Sequence, residues 1–220
     1  PMIVVEDVLE ALTKLGIASR ARSKAQIIAV TGSVGKTTTK EALRHVLSEV
    51  GKVHASVASF NNHWGVPLTL ARMPADTDYG VFEIGMNHHD EIRPLVKMVR
   101  PHVALITLIA PAHLGHFANL EEIAVAKAEI FEGIVPGGYA LLNRDDKRFK
   151  QLEELAEKAG VEHIATFGEN ARSDYRLREV KLHPTCSCMT VKIGTHEAAV
   201  KVGMPGRHIE IGRASCRERV

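Results

Sequence analysis

One stretch constrains the chain more than any other. Thr31-Gly32-Ser33-Val34-Gly35-Lys36-Thr37-Thr38 follows a short apolar run, Gln26 to Val30, and precedes apolar residues at helical spacing: Ala42, Leu43, Val46, Leu47 and Val50. Glycines followed by a lysine and two threonines, set between a strand and a helix, make the pattern of a phosphate loop. Glycine lets backbone N–H groups turn toward phosphate oxygens, and the helix N-terminus adds the positive end of its dipole. Gly32, Ser33, Val34, Gly35, Lys36, Thr37 and Thr38 are therefore expected to cradle the phosphates of ATP. Lys36 is expected on the β- and γ-phosphates and the Thr37 hydroxyl on Mg2+. The stretch is not a full GxxxxGK(S/T) motif, because the first glycine position is Val30. The bland alternative is a glycine-rich turn ahead of an ordinary helix.

The rest of the chain alternates. Tyr79 to Ile84 reads as a buried strand, Ile92, Leu95, Val96 and Val99 as a helix ending before Pro101, and Val103 to Ile109 as a second apolar strand. A helix follows through Leu120, Ile123, Ala124, Lys127, Ile130 and Phe131. Then come a strand from Tyr139 to Leu142, a helix through Phe149, Leu152, Leu155 and Ala156, and a strand from Ile164 to Phe167. This order predicts an α/β fold with a mostly parallel sheet flanked by helices, whose ligands sit at the carboxyl ends of the strands. After Ser173 the texture changes. Tyr175 to Leu182, Ser187 to Ile193 and Glu197 to Val202 predict a small antiparallel β appendage.

The 220 residues suffice for one substantial domain. Residues 23–208 are expected to form it. Residues 1–22, with a helix from Val5 to Leu15 and a basic stretch from Arg20 to Lys24, are expected to be the remnant of a preceding domain and its linker. Residues 209–220 lack periodicity and are expected to be a non-native tail. A formal net charge of +2 argues against nucleic acid as a partner. The longest apolar run, Val103 to Ala110, is about half of the roughly 20 residues a membrane helix needs, and no basic segment precedes an apolar run at the start. Three cysteines, Cys186, Cys188 and Cys216, give no disulfide framework, so a reducing cytoplasm is expected. Cys186 and Cys188 are read as structural residues sharing one face of a strand, and a monomer is the default expectation.

Five more clusters follow the predicted strands or lie on a predicted helix. In Ser59-Phe60-Asn61-Asn62-His63-Trp64-Gly65-Val66-Pro67-Leu68-Thr69 the paired asparagines offer donors and acceptors without charge; the plain reading is an Asx-rich turn ended by Pro67. Glu83, in Glu83-Ile84-Gly85-Met86-Asn87-His88, is an acid at the end of a buried strand, which needs a partner; Mg2+ is one, and an N-cap or surface position is the alternative. His113 and His116 could form a zinc pair, but no further ligand stands at supporting spacing. Lys127, among apolar neighbours, either snorkels or is chemically special. In Asn143-Arg144-Asp145-Asp146 an aspartate, Asp145 above all, would cap the next helix.

From about Ile3 to His208 these segments resemble the Mur ligase family, which shares the short TGxxGKT form of the phosphate loop with folylpolyglutamate synthetases. The Asn61 segment is similar to a FNNxxGVPLT motif, and the Glu83 segment to EIGxNHxGEI with Asp90 in place of the glycine, so the local turn is expected to differ. Both look like the branch of the family that adds D-alanyl-D-alanine. The resemblance implies an ATP-dependent ligase of cell-wall synthesis that joins D-Ala-D-Ala to a UDP-muramoyl-tripeptide through an acyl phosphate. It further implies Asn61, Asn62 and Asn143 near the nucleotide, Glu83 and His113 as Mg2+ ligands, and Lys127 carbamylated to N6-carboxylysine as a further metal ligand. Catalysis would rest on Lys36, Lys127, His113 and Glu83, and Gly206-Arg207-His208 would begin the passage to a third domain. Other ligases of the superfamily, or a P-loop protein without ligase activity, remain alternatives. The NKxD motif of a GTPase is absent.

Overall fold

The computed structural model describes residues 4–111 and 117–203. Six helices (α1, Val8–Arg22; α2, Lys36–Leu47; α3, Gly65–Ala71; α4, Ile92–Val99; α5, Leu120–Ala128; α6, Phe149–Lys158) alternate with strands β1 (Gln26–Thr31), β2 (Val53–Ala55), β3 (Tyr79–Glu83), β4 (Val103–Ile106), β5 (Tyr139–Asn143) and β6 (His163–Gly168). Strands β7 (Tyr175–Leu182), β8 (Ser187–Ile193) and β9 (His196–Val202) follow without helices. All nine lie in one sheet of order β2-β3-β1-β4-β5-β6-β7-β8-β9, parallel from β2 to β7 and antiparallel beyond. The expected antiparallel appendage is thus a continuation of the main sheet. Strand β1 has β3 on one side and β4 on the other. The chain reverses its direction of winding there, and a crevice opens at the carboxyl ends of such strands.

The two sheet faces are covered unequally. Ile27, Ala29, Phe82, Ala104, Ile106, Ala140 and Leu142 join residues of α3, α4, α5 and α6 in the large core. Alternate positions, Val30, Val81 and Leu105, meet Leu43 and Leu47 of α2 in a smaller one. Helix α2 corrects the sequence reading. Ala42, Val46 and Val50 contribute to the apolar spacing in the sequence, but all three are exposed and Val50 lies beyond the end of the helix. The inward stripe is Lys36, Lys40, Leu43 and Leu47, at helical spacing, and Lys40 is 0% exposed. A scan for apolar periodicity does not count lysines.

Two elements escaped the sequence analysis. Strand β2 spans only three residues. Helix α3 begins two residues before Pro67, which was expected to end a turn. Proline is tolerated in a helix's first turn because the N–H it lacks has no partner there. Cys186 lies in the turn between β7 and β8, so it does not share a strand face with Cys188.

Helix α1 runs further than expected, to Arg22, and packs on the rest of the fold. Gly16 lies so close to α3 that a Cβ there would meet Pro67 O at 3.0 Å. Arg20, 7% exposed, donates from Nε to Val99 O at 2.7 Å and from Nη2 to Arg100 O at 2.9 Å, holding the end of α4. Arg20→Met is expected to cost about 2 kcal/mol, the worth of hydrogen bonds from a charged donor to otherwise unanswered carbonyls. Urea unfolding measures it; a loss within error of zero would mean that water replaces the guanidinium freely.

Candidate functional site

The phosphate-loop stretch lies where β1 ends at the switch point. Gly32 has φ +148 and a Cβ there would fall 1.9 Å from Thr107 Oγ1, so only glycine fits. Gly35, the N-cap of α2, is left-handed at φ 84. The first N–H to close the helix is that of Thr39, on Gly35 O at 2.9 Å. The amides of Lys36, Thr37 and Thr38 ahead of it are the orphan donors of a helix N-terminus, directed at whatever occupies the mouth of the loop. Thr107, at the end of β4, braces the loop by donating to Val34 O at 2.6 Å.

Three expected site residues meet in one hydrogen-bonded group. Glu83, at the tip of β3 and 1% exposed, accepts from Thr37 Oγ1 on Oε2 at 2.8 Å and from Asn61 Nδ2 on Oε1 at 2.8 Å. A hydroxyl and a carboxylate oxygen side by side at a phosphate loop form a hard oxygen pair suited to Mg2+, which takes one or two carboxylates and completes its shell with phosphate oxygens and water. No cluster of three or more His, Cys, Asp or Glu occurs among the described residues. Lys36 folds back, its Nζ on Gly32 O at 2.8 Å. Burial lowers its pKa, and the charge of Glu83 acts in the opposite direction.

Other residues are used differently from expectation. The Ser33 N–H is committed to Leu108 O at 2.8 Å and its hydroxyl to Ala110 O at 2.9 Å, so Ser33 ties the loop to the β4 end rather than facing a ligand. Asn143 is 2% exposed; its amide donates to Thr107 O at 3.1 Å and accepts from Asp145 N at 3.0 Å, so it buttresses Thr107 from behind. Asp145 does not cap α6. Its carboxylate accepts from Glu169 N and Asn170 N after β6, while Asp146 holds Ile109 N at 2.6 Å. Asn62 accepts from Gly65 N at 2.9 Å at the start of α3 and lines a cleft beside Lys36. Asp90 takes φ 65, the left-handed conformation glycine adopts freely. His113 and His116 lie outside the described residues, as do Gly206, Arg207, His208 and Cys216.

A cleft of about 520 Å³ adjoins Lys36, lined by Asn61, Asn62, His63, Asn87 and Glu91 among others. Beneath it is a residue the sequence analysis did not single out. Glu129, 5% exposed in the 3₁₀ turn Glu129–Gly133, accepts from Asp90 N at 2.7 Å and Arg93 N at 3.0 Å, pinning the loop that enters α4. Burial raises its pKa, and the bond from Arg93 N opposes the rise. Two residues earlier, Lys127 is 1% exposed, and burial, with the Lys36 charge second, lowers its pKa to about 7.

The model of the Mur ligase middle domain matches residues 30–210. The UDP-N-acetylmuramoyl-tripeptide–D-alanyl-D-alanine ligase of Rickettsia prowazekii is 41% identical over 176 residues, which are 80% of this chain and 39% of that protein. A crystal structure of MurF from Acinetobacter baumannii superposes with a TM-score of 0.86 at 36% identity, covering 94% of this chain and 45% of that one. MurF from Thermotoga maritima, solved in complex with ADP, gives a TM-score of 0.77 at 25% identity over 90% of this chain and 45% of its own. The chain thus spans less than half the length of these relatives.

The environment of Lys127 predicts a pH effect on stability. Between about pH 7, its folded value, and 10.5, its ordinary one, the unfolded chain binds a proton there that the folded chain does not. Stability therefore rises with pH through that window, and below it the folded state carries the full cost of a buried ammonium. In buffers free of carbon dioxide, which reacts with neutral amines, Lys127→Met is expected to raise the melting temperature more at about pH 6 than at about pH 9. Calorimetry at both pH values reads the difference; equal gains would contradict it.

Proposed function

Because the chain belongs to the Mur ligase family by its middle domain, we propose that it binds Mg–ATP and that, in the whole protein, it serves the ATP-dependent joining of D-alanyl-D-alanine to UDP-N-acetylmuramoyl-tripeptide. The observation that carries this reading is the Thr37–Glu83–Asn61 group, in which three separate segments bring oxygen and amide groups together at the mouth of a phosphate loop. The substrates are those for which the relatives are named, and the FNN and EIGxNH segments agree with them. Residues 23–208 are read as the nucleotide-binding domain and residues 1–22 as the link from a preceding domain that holds the UDP-sugar.

The chemistry follows from the weakness of a carboxylate as an electrophile. Transfer of the γ-phosphoryl group of ATP to the terminal carboxylate of the tripeptide gives an acyl phosphate; the amine of D-Ala-D-Ala then attacks the carbonyl carbon, and phosphate leaves. The protein's work is positioning and charge neutralisation. The orphan amides of α2 hold phosphate oxygens, and the Lys36 ammonium exchanges Gly32 O for the β- and γ-phosphates. Thr37 and Glu83 hold Mg2+, which supplies positive charge to the polyphosphate. The adjoining cleft takes the carboxylate-bearing end of the peptide, with Asn62, His63 and Asn87 as polar contacts. Lys127 is proposed to react as its neutral amine with carbon dioxide, giving a carbamate whose oxygens, with His113, would serve a further Mg2+. Its burial and lowered pKa support that reading, since only the neutral amine is nucleophilic. An ordinary buried lysine is the competing account. Isotopically labelled bicarbonate should give a carbamate carbon signal that disappears in Lys127→Ala.

Two experiments test the proposal. Calorimetric titration of this chain is expected to show ATP bound in preference to GTP and more tightly with Mg2+ than with EDTA. In the whole protein, Lys36→Ala should lower phosphate release that depends on both peptide substrates by at least about a hundredfold, the scale of losing one charged transition-state contact. Undiminished acyl-phosphate formation in that variant would remove Lys36 from the mechanism, and release indifferent to D-Ala-D-Ala would redirect the substrate assignment.

A further inference from the structure

Lys40 lies one helical turn beyond Lys36 on the same face of α2 and is 0% exposed. A buried ammonium is costly unless its three donors are answered. Here they are: Nζ donates to Ser56 O at 2.8 Å and to Ala58 O at 2.8 Å, and pairs with Glu41 Oε1 at 2.9 Å. The two carbonyls belong to the loop between β2 and α3. That loop turns sharply, with Ala58 at φ 46, a conformation L residues avoid without external support. Convergence of two carbonyl dipoles on one cation supplies such support.

The same loop controls the acid. Ser56, 2% exposed, accepts the N–H of Glu83 on its hydroxyl at 3.2 Å. Five residues on, Asn61 donates to Glu83 Oε1 and accepts from Gly85 N at 2.9 Å, so the loop grips Glu83 at its backbone, its side chain and the residue two beyond it. The clearance is close, since a Cβ on Gly85 would lie 2.8 Å from Asn61. A continuous path runs from Lys40 through the loop carbonyls to Ser56 and Asn61, then to Glu83 and back to Thr37 on the helix that carries Lys40. We propose that Lys40 is a positioning residue: by gathering the carbonyls of Ser56 and Ala58, it fixes the loop that sets the Glu83 carboxylate for a divalent cation at the phosphate loop. The proposal rests on the reading above that Thr37 and Glu83 hold that cation.

The test uses Mn2+ as the probe, its binding to this chain followed by electron paramagnetic resonance with ADP present, alongside ADP binding measured in EDTA. Lys40→Met keeps the hydrocarbon volume and removes the donors. It should weaken Mn2+ binding by about tenfold or more, the usual effect of losing a residue that orients a metal ligand, and leave ADP binding in EDTA unchanged. Arg20→Met, which removes a buried cation holding two carbonyls on the α1–α4 side, serves as a control of comparable instability and should bind Mn2+ as the parent chain does. If Lys40→Met does not fold, Lys40→Gln, which retains amide donors on a shorter arm, is measured in its place with the same expectation. Unaltered Mn2+ binding in the Lys40 variant, or an equal loss in the Arg20 variant, overturns the positioning role. Failure of the parent chain itself to bind Mn2+ with ADP overturns the reading of Thr37 and Glu83 instead, so the two failures are distinguishable.

Discussion

A carboxylate shut away from water at the tip of a strand must find donors, and Glu83 finds them in two segments far apart in sequence. Thr37 reaches it from the first turn of α2 and Asn61 from the loop before α3. Neither bond is local, so each fixes the relation between elements that the sheet alone leaves adjustable. β3 pairs with β1 up to Val30–Glu83, and the phosphate-loop stretch departs just beyond that register. The hydrogen bonds of the sheet thus end where those of the site begin. Thr107 repeats the arrangement on the other side of β1, holding the loop through Val34 O while Asn143 braces Thr107 from β5. The glycine-rich turn is clamped from both neighbouring strands, so its amides point in fixed directions before any anion arrives.

Two lysines with almost the same burial show how differently a protein can treat a cation. Lys40 has every donor answered, two by carbonyls and one by a carboxylate. Lys127 is 1% exposed on a stretch whose Ile123, Ala124, Ile130 and Phe131 are also buried, and desolvation brings its pKa down to about 7. The first arrangement converts charge into geometry, because the ammonium draws polar backbone to itself. The second weakens the hold on the proton, because burial disfavours the charged form. Burial alone separates neither from an ordinary core residue; the partners do.

The central strands were legible because both their faces are buried and their apolar runs are nearly continuous; β1, β3 and β5 lie within a residue or two of expectation. Strand β2 was missed because three residues carry no period, and α3 because Pro67 reads as a terminator when it stands in a helix's first turn. The segments that the motifs indicate lie at the strand tips, but the use of each side chain did not always follow from them. Ser33, Asn143 and Asp145 sit in the segments that the motifs indicate, yet all three turn inward to hold neighbouring loops. Motif spacing fixes where a backbone segment lies; the direction of a side chain depends on which distant donors and acceptors come within reach. Glu129 and Lys40 escaped for the complementary reason, since charged residues on helices read as solvent-facing.

Helix α2 brings these levels together. Its inward stripe runs from Lys36 and Lys40 near the strand tips to Leu43 and Leu47 deeper against Val30 and Val81. The polar half of one helical face is given to the phosphate loop and its supporting loop, and the apolar half to the smaller core. A helix so divided cannot show the uniform apolar stripe of a purely structural element, and Val46, at 65% exposure on its outer side, confuses the pattern further. The polar start of this inward stripe is therefore a consequence of its position. The first turns of α2 face the site and the loop that Lys40 holds, and the turns below them satisfy the core.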